Sequence, residues 1–352
     1  MSSEQAILSI PRDTENHKGI WVFAEVSHGK LQTTAYELLH VGGGLAKELN
    51  EPLSVVLMGH NITSLGQDLI DHGADKVYVM DHEKLGQFVD ELYANVIVEL
   101  IIKEKPNKFL LPASTLGRSF GSRVAVLANT GITADATELS INKEKGNLLN
   151  AIRPSFGGTL MATILCIRGH RPEMATIRPM AFPQAQKQSG RKGEIVTVPV
   201  DPSKYKQRER HLRFEADEKN EIDIQQASTI ISGGYGLGGP EGFDPIRKLA
   251  KTLGAAVGAS RKAVDAGWIP YRHQVGLTGR TVRPKLYIAV GISGQIQHLA
   301  GMNSSETIVA INQDPEAPMM KLATFSVEGD LFQLLPAIQT ELEKIGYKPT
   351  AN

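Results

Sequence analysis

Two short apolar runs decide the fold: Leu286-Tyr-Ile-Ala-Val-Gly-Ile-Ser293 and Thr307-Ile-Val-Ala-Ile-Asn312. Apolar runs of this length, bounded by small or polar residues, are typical of strands buried in a parallel sheet. Both belong to segment 254–312, in which eight glycines occur and six Lys or Arg outnumber two acids. Glycine turns and cations bring backbone amides and positive charge around an anion. We therefore predict that this segment forms the functional site.

The N-terminal half predicts a parallel sheet covered by helices on both faces. Apolar runs alternate there with stretches of helical periodicity, and strands that alternate with helices of this length form right-handed βαβ units. The predicted strands are 20–26, 53–58, 76–80 and 109–111, and the predicted helices are 31–49, 62–72, 85–105 and 117–129.

The pattern changes after Gly131. Short apolar runs at 148–152, 159–167 and 173–177 are separated by turns such as Phe156-Gly-Gly and Gly169-His-Arg-Pro, and predict an antiparallel addition to the first sheet. Segment 187–213 has mixed charge and predicts a solvated connector rather than a nucleic-acid-binding patch.

A second α/β domain follows a strongly polar stretch, so we place the domains at 1–217 and 218–352. The C-terminal domain is predicted to have a parallel sheet with glycine-rich turns. Its predicted strands are 228–231, 286–292 and 307–311, and its predicted helices are 241–253 and 330–345. The fold class is therefore α/β, with a nucleotide-binding-like N-terminal domain that carries an antiparallel addition.

The composition fits a globular protein without net charge. Lys plus Arg and Asp plus Glu both number 38, so nothing favours a nucleic-acid partner. No apolar run approaches the ~20 residues of a membrane span, and no targeting segment is evident, which predicts a cytoplasmic protein without membrane insertion. The single cysteine, Cys166, predicts a buried structural thiol and no Cys-ligated metal.

A glycine motif, Gly234-Tyr-Gly236-Leu-Gly-Gly239, lies between a predicted strand and a predicted helix. This is the position of the phosphate-binding turn in dinucleotide-binding folds. The acidic residue expected ~20 residues later is missing, because that region reads Gly254-Ala-Ala-Val-Gly258. A turn that approaches phosphate is thus favoured over a nicotinamide dehydrogenase, which stays open as an alternative function.

Ser293-Gly-Gln-Ile-Gln-His298 continues directly from a buried strand. Ser293 is expected to cap a helix whose first amides point at an anion. His298 follows about one turn later and would bring a hydrogen-bond donor or a cation to the same ligand. The alternative is an ordinary capped helix with a solvent-facing histidine. No hydrolase or zinc-protease motif competes for this role.

Ser260-Arg261 and Gln274-Val-Gly-Leu-Thr278-Gly279 are loop segments near the same predicted sheet edge. An arginine and a threonine hydroxyl there suit a planar, electron-accepting ring such as a flavin, since reduction puts negative charge near N1 and C2=O. Asn312 and Asp330 follow later in the domain and would suit ribose or adenine.

Several long segments in fixed order resemble the alpha subunit of electron transfer flavoprotein, the group that includes the FixB proteins. The segments are Val257-Gly-Ala-Ser-Arg-Lys-Ala-Val-Asp-Ala-Gly267, Gln274-Val-Gly-Leu-Thr-Gly279, Tyr287-Ile-Ala-Val-Gly-Ile-Ser-Gly-Gln-Ile-Gln-His-Leu-Ala-Gly301 and Ile308-Val-Ala-Ile-Asn-Gln-Asp-Pro-Glu-Ala-Pro318. The resemblance is looser in the first half and spans nearly the whole chain.

The resemblance implies an electron carrier subunit rather than a self-contained enzyme. One FAD would be held by the C-terminal domain, and the N-terminal domain would contact a beta subunit that carries a second FAD or AMP. The implied redox partners are an acyl-CoA dehydrogenase-type flavoprotein and a downstream quinone reductase, ferredoxin or flavodoxin. Any NADH-dependent bifurcating activity would need the beta subunit.

The resemblance also implies a set of FAD-binding residues. Arg261 would lie by the isoalloxazine ring, Thr278 near N5 and His298 near C2=O, with Arg261 and His298 supplying charge. The other residues of the implied site are Tyr235, Ser260, Gln274, Val275, Gly276, Leu277, Gly279, Ser293, Gly294, Gln295, Ile296, Gln297, Asn312, Asp330 and Leu331.

One departure concerns Tyr235, which stands where many members of the family have an arginine after the two glycines. A cation on the phosphate side is therefore absent or supplied elsewhere. Segment Thr281-Val-Arg-Pro-Lys-Leu-Tyr287 is similar to the FixB and electron-bifurcating versions, while the class stays open. Two functions of other kinds are kept as alternatives: a stand-alone NAD-dependent oxidoreductase, and a nucleotide-sensing module without redox work.

Overall fold

The computed structural model describes residues 16–155, 160–166, 169–205, 208–209, 211–213, 222, 224–225 and 227–347. The chain divides into two compact units, the first taking in residues up to 154 and 161–214, the second 155–160 and 215 onward. The predicted boundary between residues 217 and 218 lies outside the described residues.

Strands and α-helices alternate in the first part of the first unit, and strands follow one another after residue 127. Its strands are β1 (Ile20–Ala24), β2 (Val26–Ser27), β3 (Lys30–Leu31), β4 (Leu53–Gly59), β5 (Lys76–Asp81), β6 (Lys108–Pro112), β7 (Ile132–Ala136), β8 (Glu138–Asn142), β9 (Leu148–Ser155), β10 (Leu160–Ile164), β11 (Glu173–Ile177) and β12 (Glu194–Thr197). Its helices are α1 (Thr33–Leu49), α2 (Gly66–Asp71), α3 (Asp90–Glu104) and α4 (Thr115–Leu127).

The central sheet of this unit has the described strand order β12-β5-β4-β1-β6-β11-β7, and every pairing is parallel. β1 lies in the middle, where Ile20 is opposite both Leu53 and Lys108. All five residues of β1 are buried, with Val22 in the apolar cluster on one face and Phe23 in that on the other. This explains the unbroken apolar run, and the predicted α/β class is confirmed.

Helix α3 begins later than predicted. Residues Glu83–Leu85 form a separate 3-10 turn, in which the backbone N–H of Lys84 donates to the ring of His82 at 3.1 Å. The α-helix starts only at Asp90, where two acids in the first turn favour a helix N-terminus.

The prediction for 173–177 was wrong in its direction. β11 lies inside the main sheet, parallel to β6 and β7, whereas β8 and β9 pair antiparallel in a separate three-stranded sheet with β10. A short apolar run is compatible with a parallel and with an antiparallel strand, because the direction of a strand is set by the connection that leads into it. Strands β7 and β8 were not predicted, and the predicted limits 159 and 167 and the turn at 156–158 lie outside the described residues.

The predicted connector 187–213 also contains a strand. β12 extends the main sheet parallel to β5, with Val196 against the apolar cluster and Ile195 beside Gly66. The charged residues around Ile195 and Val196 obscured this strand pattern in the sequence. Cys166 is half-buried rather than buried, which corrects a second expectation about this unit.

The second unit is a parallel α/β sheet, as predicted. Its strands are β13 (Thr229–Gly233), β14 (Ala256–Ala259), β15 (Leu286–Val290), β16 (Thr307–Asn312) and β17 (Phe325–Glu328), and its helices are α5 (Phe243–Leu253), α6 (Arg261–Asp265), α7 (Ile296–Leu299), α8 (Pro318–Leu322) and α9 (Leu331–Lys344). The described order is β14-β13-β15-β16-β17, all parallel. The carboxyl ends of the strands therefore meet at one edge. β14 and β17 were not predicted.

The described residues include neither a membrane-spanning helix nor a cluster of metal-ligating side chains. None of their helices combines the length and apolar character needed to cross a membrane. Nor do they contain a group of three or more His, Cys, Asp or Glu side chains that could hold a metal ion.

Candidate cofactor-binding cleft

A cleft of about 620 Å³ opens at the carboxyl edge of the second sheet. The chain leaves β13 toward β14 on one side and leaves the neighbouring strand β15 toward β16 on the other, and open α/β sheets bind ligands where such connections diverge. The lining residues follow β13, β14, β15 and β16: they are Tyr235, Gly236, Ser260, Arg261, Lys262, Asp265, Val275, Gly276, Thr278, Gly291, Ile292, Ser293, Gly294, Gln295, Gln297, His298, Asn312, Asp314 and Ala317.

Most of the predicted site residues lie together in this cleft, and six do not line it. The six are Gln274, Leu277, Gly279, Ile296, Asp330 and Leu331. Gln274 is buried behind the cleft and Leu331 belongs to an apolar cluster. Asp330 caps α9, where its carboxylate accepts from the N–H of Phe332 at 2.9 Å.

The sequence reasoning missed seven lining residues: Gly236, Lys262, Asp265, Gly291, Ile292, Asp314 and Ala317. Lys262 and Asp265 were within reach of prediction, because both stand in a segment already singled out around Arg261. Asp314 and Ala317 follow β16, so the loop after that strand was a usable signal. Ile292 and Gly291 were read only as part of a strand.

Glycines allow the loops around the cleft to touch one another. A Cβ on Gly234 would lie 2.0 Å from the carbonyl oxygen of Gly291, and one on Gly276 would lie 2.8 Å from that of Gln297. Gly276 also has a φ of +141°, which L side chains rarely adopt. The N–H of Leu277 donates to the Gln297 carbonyl at 2.7 Å, so the loops before and after β15 are held together.

The predicted helix cap at Ser293 was wrong. The four-residue helix α7 begins after Gln295, and no side chain caps it. Ser293 instead belongs to a turn, in which its carbonyl accepts from the N–H of Met319 at 3.1 Å. Gly294 has a φ of +87°, and a Cβ there would lie 2.3 Å from the Met319 nitrogen. Because Gly294 has this positive φ, a helix cannot begin directly after Ser293, and Ser293 does not cap α7.

His298 is buried beside the cleft, with 6% of its surface exposed, so the alternative of a solvent-facing histidine was wrong. The hydroxyl of Tyr287 lies 2.9 Å from its Nε2, while its Nδ1 has no hydrogen-bond partner among the described residues. Burial lowers the pKa of His298 to about 4, and the backbone of Val275 near the ring opposes this without reaching hydrogen-bond geometry at Nδ1. The ring is therefore neutral at pH 7, and of the two predicted roles only that of a neutral donor fits.

Arg261 and Thr278 each retain unused donors. The Arg261 Nε donates to Asp265 at 3.1 Å, which leaves the terminal guanidinium nitrogens without a partner in the described part of the chain. Thr278 Oγ1 accepts from Gln274 Nε2 at 3.0 Å, so its own proton remains available. Both side chains can therefore donate to a ligand.

Asn312 supports the shape of the cleft through its own hydrogen bonds. Its Nδ2 donates to the Ile292 carbonyl at 3.0 Å, and its Oδ1 accepts from the N–H of Asp314 at 3.1 Å. These contacts join the ends of β15 and β16.

Ser260 adds a second unpaired polar group. Its Oγ is buried without a hydrogen-bond partner among the described residues, although the residue stands at the start of α6. Buried polar atoms are seldom left unpaired, so Ser260 Oγ and His298 Nδ1 both point to a ligand with polar atoms. The donors of Arg261 and Thr278 complete a set that fits the carbonyl groups and ring nitrogens of a flavin.

The fold and the cleft define a cofactor-binding α/β protein of the nucleotide-binding class. Residues 20–203 match the electron transfer flavoprotein domain, and residues 223–303 match the electron transfer flavoprotein FAD-binding domain.

Relatives with assigned names agree with these matches. The electron transfer flavoprotein subunit alpha of Thermoanaerobacterium thermosaccharolyticum is 47% identical over 94% of this chain and 99% of its own length. Protein FixB of Clostridium saccharobutylicum is 43% identical over 94% of this chain and 98% of its own. The acryloyl-CoA reductase electron transfer subunit beta of Anaerotignum propionicum is 38% identical over 92% and 95%. The chain belongs to the electron transfer flavoprotein alpha subunit family, and its second unit carries the flavin-binding domain of that family.

Proposed function

We propose that this chain is the alpha subunit of a heterodimeric electron transfer flavoprotein and holds one FAD in the cleft of its second unit. The observation that carries the proposal is the pair of buried, unpaired atoms Ser260 Oγ and His298 Nδ1. Leaving such an atom without a partner costs about 1–3 kcal/mol, so a ligand that pairs with both is stabilised in the cleft. The FAD-binding family match supports the identity of that ligand.

When bound, FAD would supply the reversible uptake and release of electrons. The chain's own residues set the charge around the isoalloxazine ring. The guanidinium of Arg261 carries a positive charge, which favours negative charge nearby. His298 holds its single proton on Nδ1 when Nε2 accepts from Tyr287, so it donates without carrying charge. A donor fixed in place before charge develops needs no reorganisation.

The remaining residues orient the cofactor. Thr278 offers a hydroxyl donor, which Gln274 holds from behind. Val275 and Gly276 form the walls together with residues 293–295 and 297, and Asn312 joins two strand ends. Of the predicted site, Asp330 acts through the start of α9 rather than by lining the cleft.

The partners follow from the family. A beta subunit would bind this chain, with the first unit as its contact, and would carry the second FAD or AMP. The name of the Anaerotignum propionicum relative links that protein to an acryloyl-CoA reductase, which supports an acyl-CoA dehydrogenase-type donor or acceptor here. A quinone reductase, ferredoxin or flavodoxin would be the other redox partner.

Co-production with the beta subunit tests the proposal. We expect a yellow heterodimer with one FAD in this chain, measured from the absorption spectrum and a flavin count for each subunit. A complex that remains colourless after reconstitution with FAD would contradict it. NADH titration of the isolated chain should be flat, and AMP or ADP binding without flavin would favour a nucleotide sensor.

A further inference from the structure

Three side chains form a stack at the rim of the cleft. The rings of Tyr235 and Trp268 lie parallel, with centroids 4.8 Å apart and planes 8° from each other. The ammonium of Lys262 lies 3.9 Å from the centroid of the Tyr235 ring. A cation this close to an aromatic face is attracted by the ring's quadrupole, so the stack restricts a side chain that is otherwise flexible.

Lys262 differs in its partners from the arginine next to it. Arg261 forms an ion pair with Asp265 at 3.1 Å, whereas Lys262 pairs with no carboxylate among the described residues. Both cations line the cleft. The charge of Lys262 therefore lies against the ring of Tyr235, which is itself stacked on Trp268, and pairs with no acid among the described residues.

The position of the stack points to the phosphate end of the ligand. Tyr235 lies between Gly234 and Gly236 in the turn after β13, and a Cβ on either glycine would lie within 3.0 Å of the Gly291 carbonyl. In sheets of this class, the glycine turn after the first strand is where a dinucleotide's diphosphate approaches. The ammonium of Lys262 lies over the ring of Tyr235, which belongs to this turn.

We propose that Lys262 supplies the positive charge for the diphosphate of the bound cofactor, with Tyr235 and Trp268 holding its ammonium. This inference rests on the proposed function, since it needs FAD in the cleft. It also accounts for Tyr235: the residue does not contact phosphate as a cation itself but positions one from the neighbouring helix α6.

Affinity measurements on the flavin-free heterodimer test this assignment. K262M keeps the length of the side chain and removes its charge, so we expect the Kd for FAD to rise roughly tenfold, as for loss of one charge-assisted hydrogen bond. K262R keeps the charge and should stay within about threefold of the wild type. K251M removes an equally exposed lysine from α5, away from the cleft, and should leave the Kd unchanged.

A phosphate-free ligand distinguishes a charge effect from a general loss of the cleft. We expect K262M to bind riboflavin as the wild type does, and its Kd for FAD to depend less on salt. Equal weakening of riboflavin and FAD, or a K262M value equal to that of K251M, would overturn the role of Lys262 alone. A wild-type heterodimer that binds no FAD would overturn the proposed function as well.

Discussion

The hydroxyl of Tyr287 lies 2.9 Å from Nε2 of His298, and both side chains are buried. Burial raises the pKa of Tyr287, which keeps its proton, and lowers that of His298 to about 4. A neutral imidazole has one N–H group. If Tyr287 donates to Nε2, that proton must be on Nδ1, the atom without a protein partner at the cleft. The tyrosine thus selects the tautomer that can donate to a ligand in the cleft.

Replacing Tyr287 with phenylalanine should remove the hydrogen bond that fixes the tautomer of His298. We expect the ¹⁵N shifts of His298 in Y287F to move from an Nδ1-protonated pattern toward a mixture of tautomers, and the reduction potential of the bound flavin to fall. Y93F is a matched control, since the Tyr93 hydroxyl donates to the Leu85 carbonyl at 2.7 Å in the other unit. A wild-type ring protonated on Nε2 would contradict the selection.

Removing the histidine itself should lower the reduction potential further. A hydrogen bond to a charged group contributes about 1.5–3 kcal/mol, which corresponds to roughly 60–130 mV for a one-electron couple. We therefore expect H298A to shift the flavin potential down by that order, measured by spectroelectrochemical titration. H298Q keeps a side-chain amide donor and should shift it less. An unchanged potential in H298A would remove His298 from its proposed role.

The buried histidine also predicts a pH dependence of stability. The unfolded chain protonates His298 near its ordinary pKa of 6.5, whereas the folded chain does so only near 4. The unfolded state therefore binds more protons in this window, and the free energy of unfolding falls as the pH drops from about 6.5 to 4. The loss reaches up to ~3 kcal/mol, because one pKa unit corresponds to about 1.4 kcal/mol.

Denaturant unfolding of the flavin-free chain at about pH 7, 5.5 and 4.5, which spans most of this window, measures the effect. Other groups titrate in the same window, so the informative quantity is the difference between wild type and H298Q. We expect the free energy of unfolding of the wild type to fall relative to that of H298Q as the pH falls. A difference that stays constant across the three conditions would contradict a neutral, buried His298.

Much of the fold could be predicted from the sequence because the periodicity and the length of an apolar run are visible within a short stretch of residues. The runs that became β1 and β15 are apolar throughout, as strands covered on both faces must be. The direction of β11 could not be predicted in this way. Its place between β6 and β7 depends on long connections, and on the buried pairing of Glu173 with Lys108, which no local pattern encodes.

The candidate site, too, could be predicted from the sequence only in part. Motif order was enough to group Ser260, Thr278 and His298, which the structure places around one cleft. The protonation state of His298 was not predictable, because it depends on burial, and its tautomer depends on Tyr287, eleven residues earlier in sequence. The predicted cap at Ser293 was wrong because Gly294 has a positive φ. Glycine can adopt this conformation, but its presence in a sequence does not show that it does so.

The pairing at β11 can be tested in the first unit. Glu173 lies 3.7 Å from the fully buried ammonium of Lys108 and 2.8 Å from Arg171. Burial lowers the pKa of Lys108, and Glu173 opposes this. E173Q leaves a buried charge without its partner, so we expect unfolding free energy to drop by about 3–5 kcal/mol in chemical denaturation.

The control is E194Q at the edge of the same sheet. Glu194 lies 2.9 Å from Lys76, but 61% of its side chain is exposed. Exposed pairs contribute about 0–1 kcal/mol, so this variant should be nearly neutral. Equal destabilisation by E173Q and E194Q would show that burial of the Glu173 pair does not matter to stability.

A final prediction concerns the wall of the cleft at Gly276. Its φ is +141°, and a Cβ there would lie 2.8 Å from the carbonyl oxygen of Gln297, which also accepts from the N–H of Leu277. An alanine must therefore either strain the backbone by about 1–3 kcal/mol or push the loop containing Gln297 away. We expect G276A to lower the unfolding free energy by that order and to weaken FAD binding, measured by fluorescence titration.

Gly267 provides the comparison that distinguishes strain from contact. Its φ is +75°, yet nothing lies within 4 Å of a Cβ placed on it, and it does not line the cleft. G267A should therefore lose stability through backbone strain while its affinity for FAD stays that of the wild type. If G276A keeps the same affinity as G267A, the close approach of Gly276 to Gln297 does not shape the cofactor site. If only G276A loses affinity, the contact between these two loops is what holds the flavin-facing wall in place.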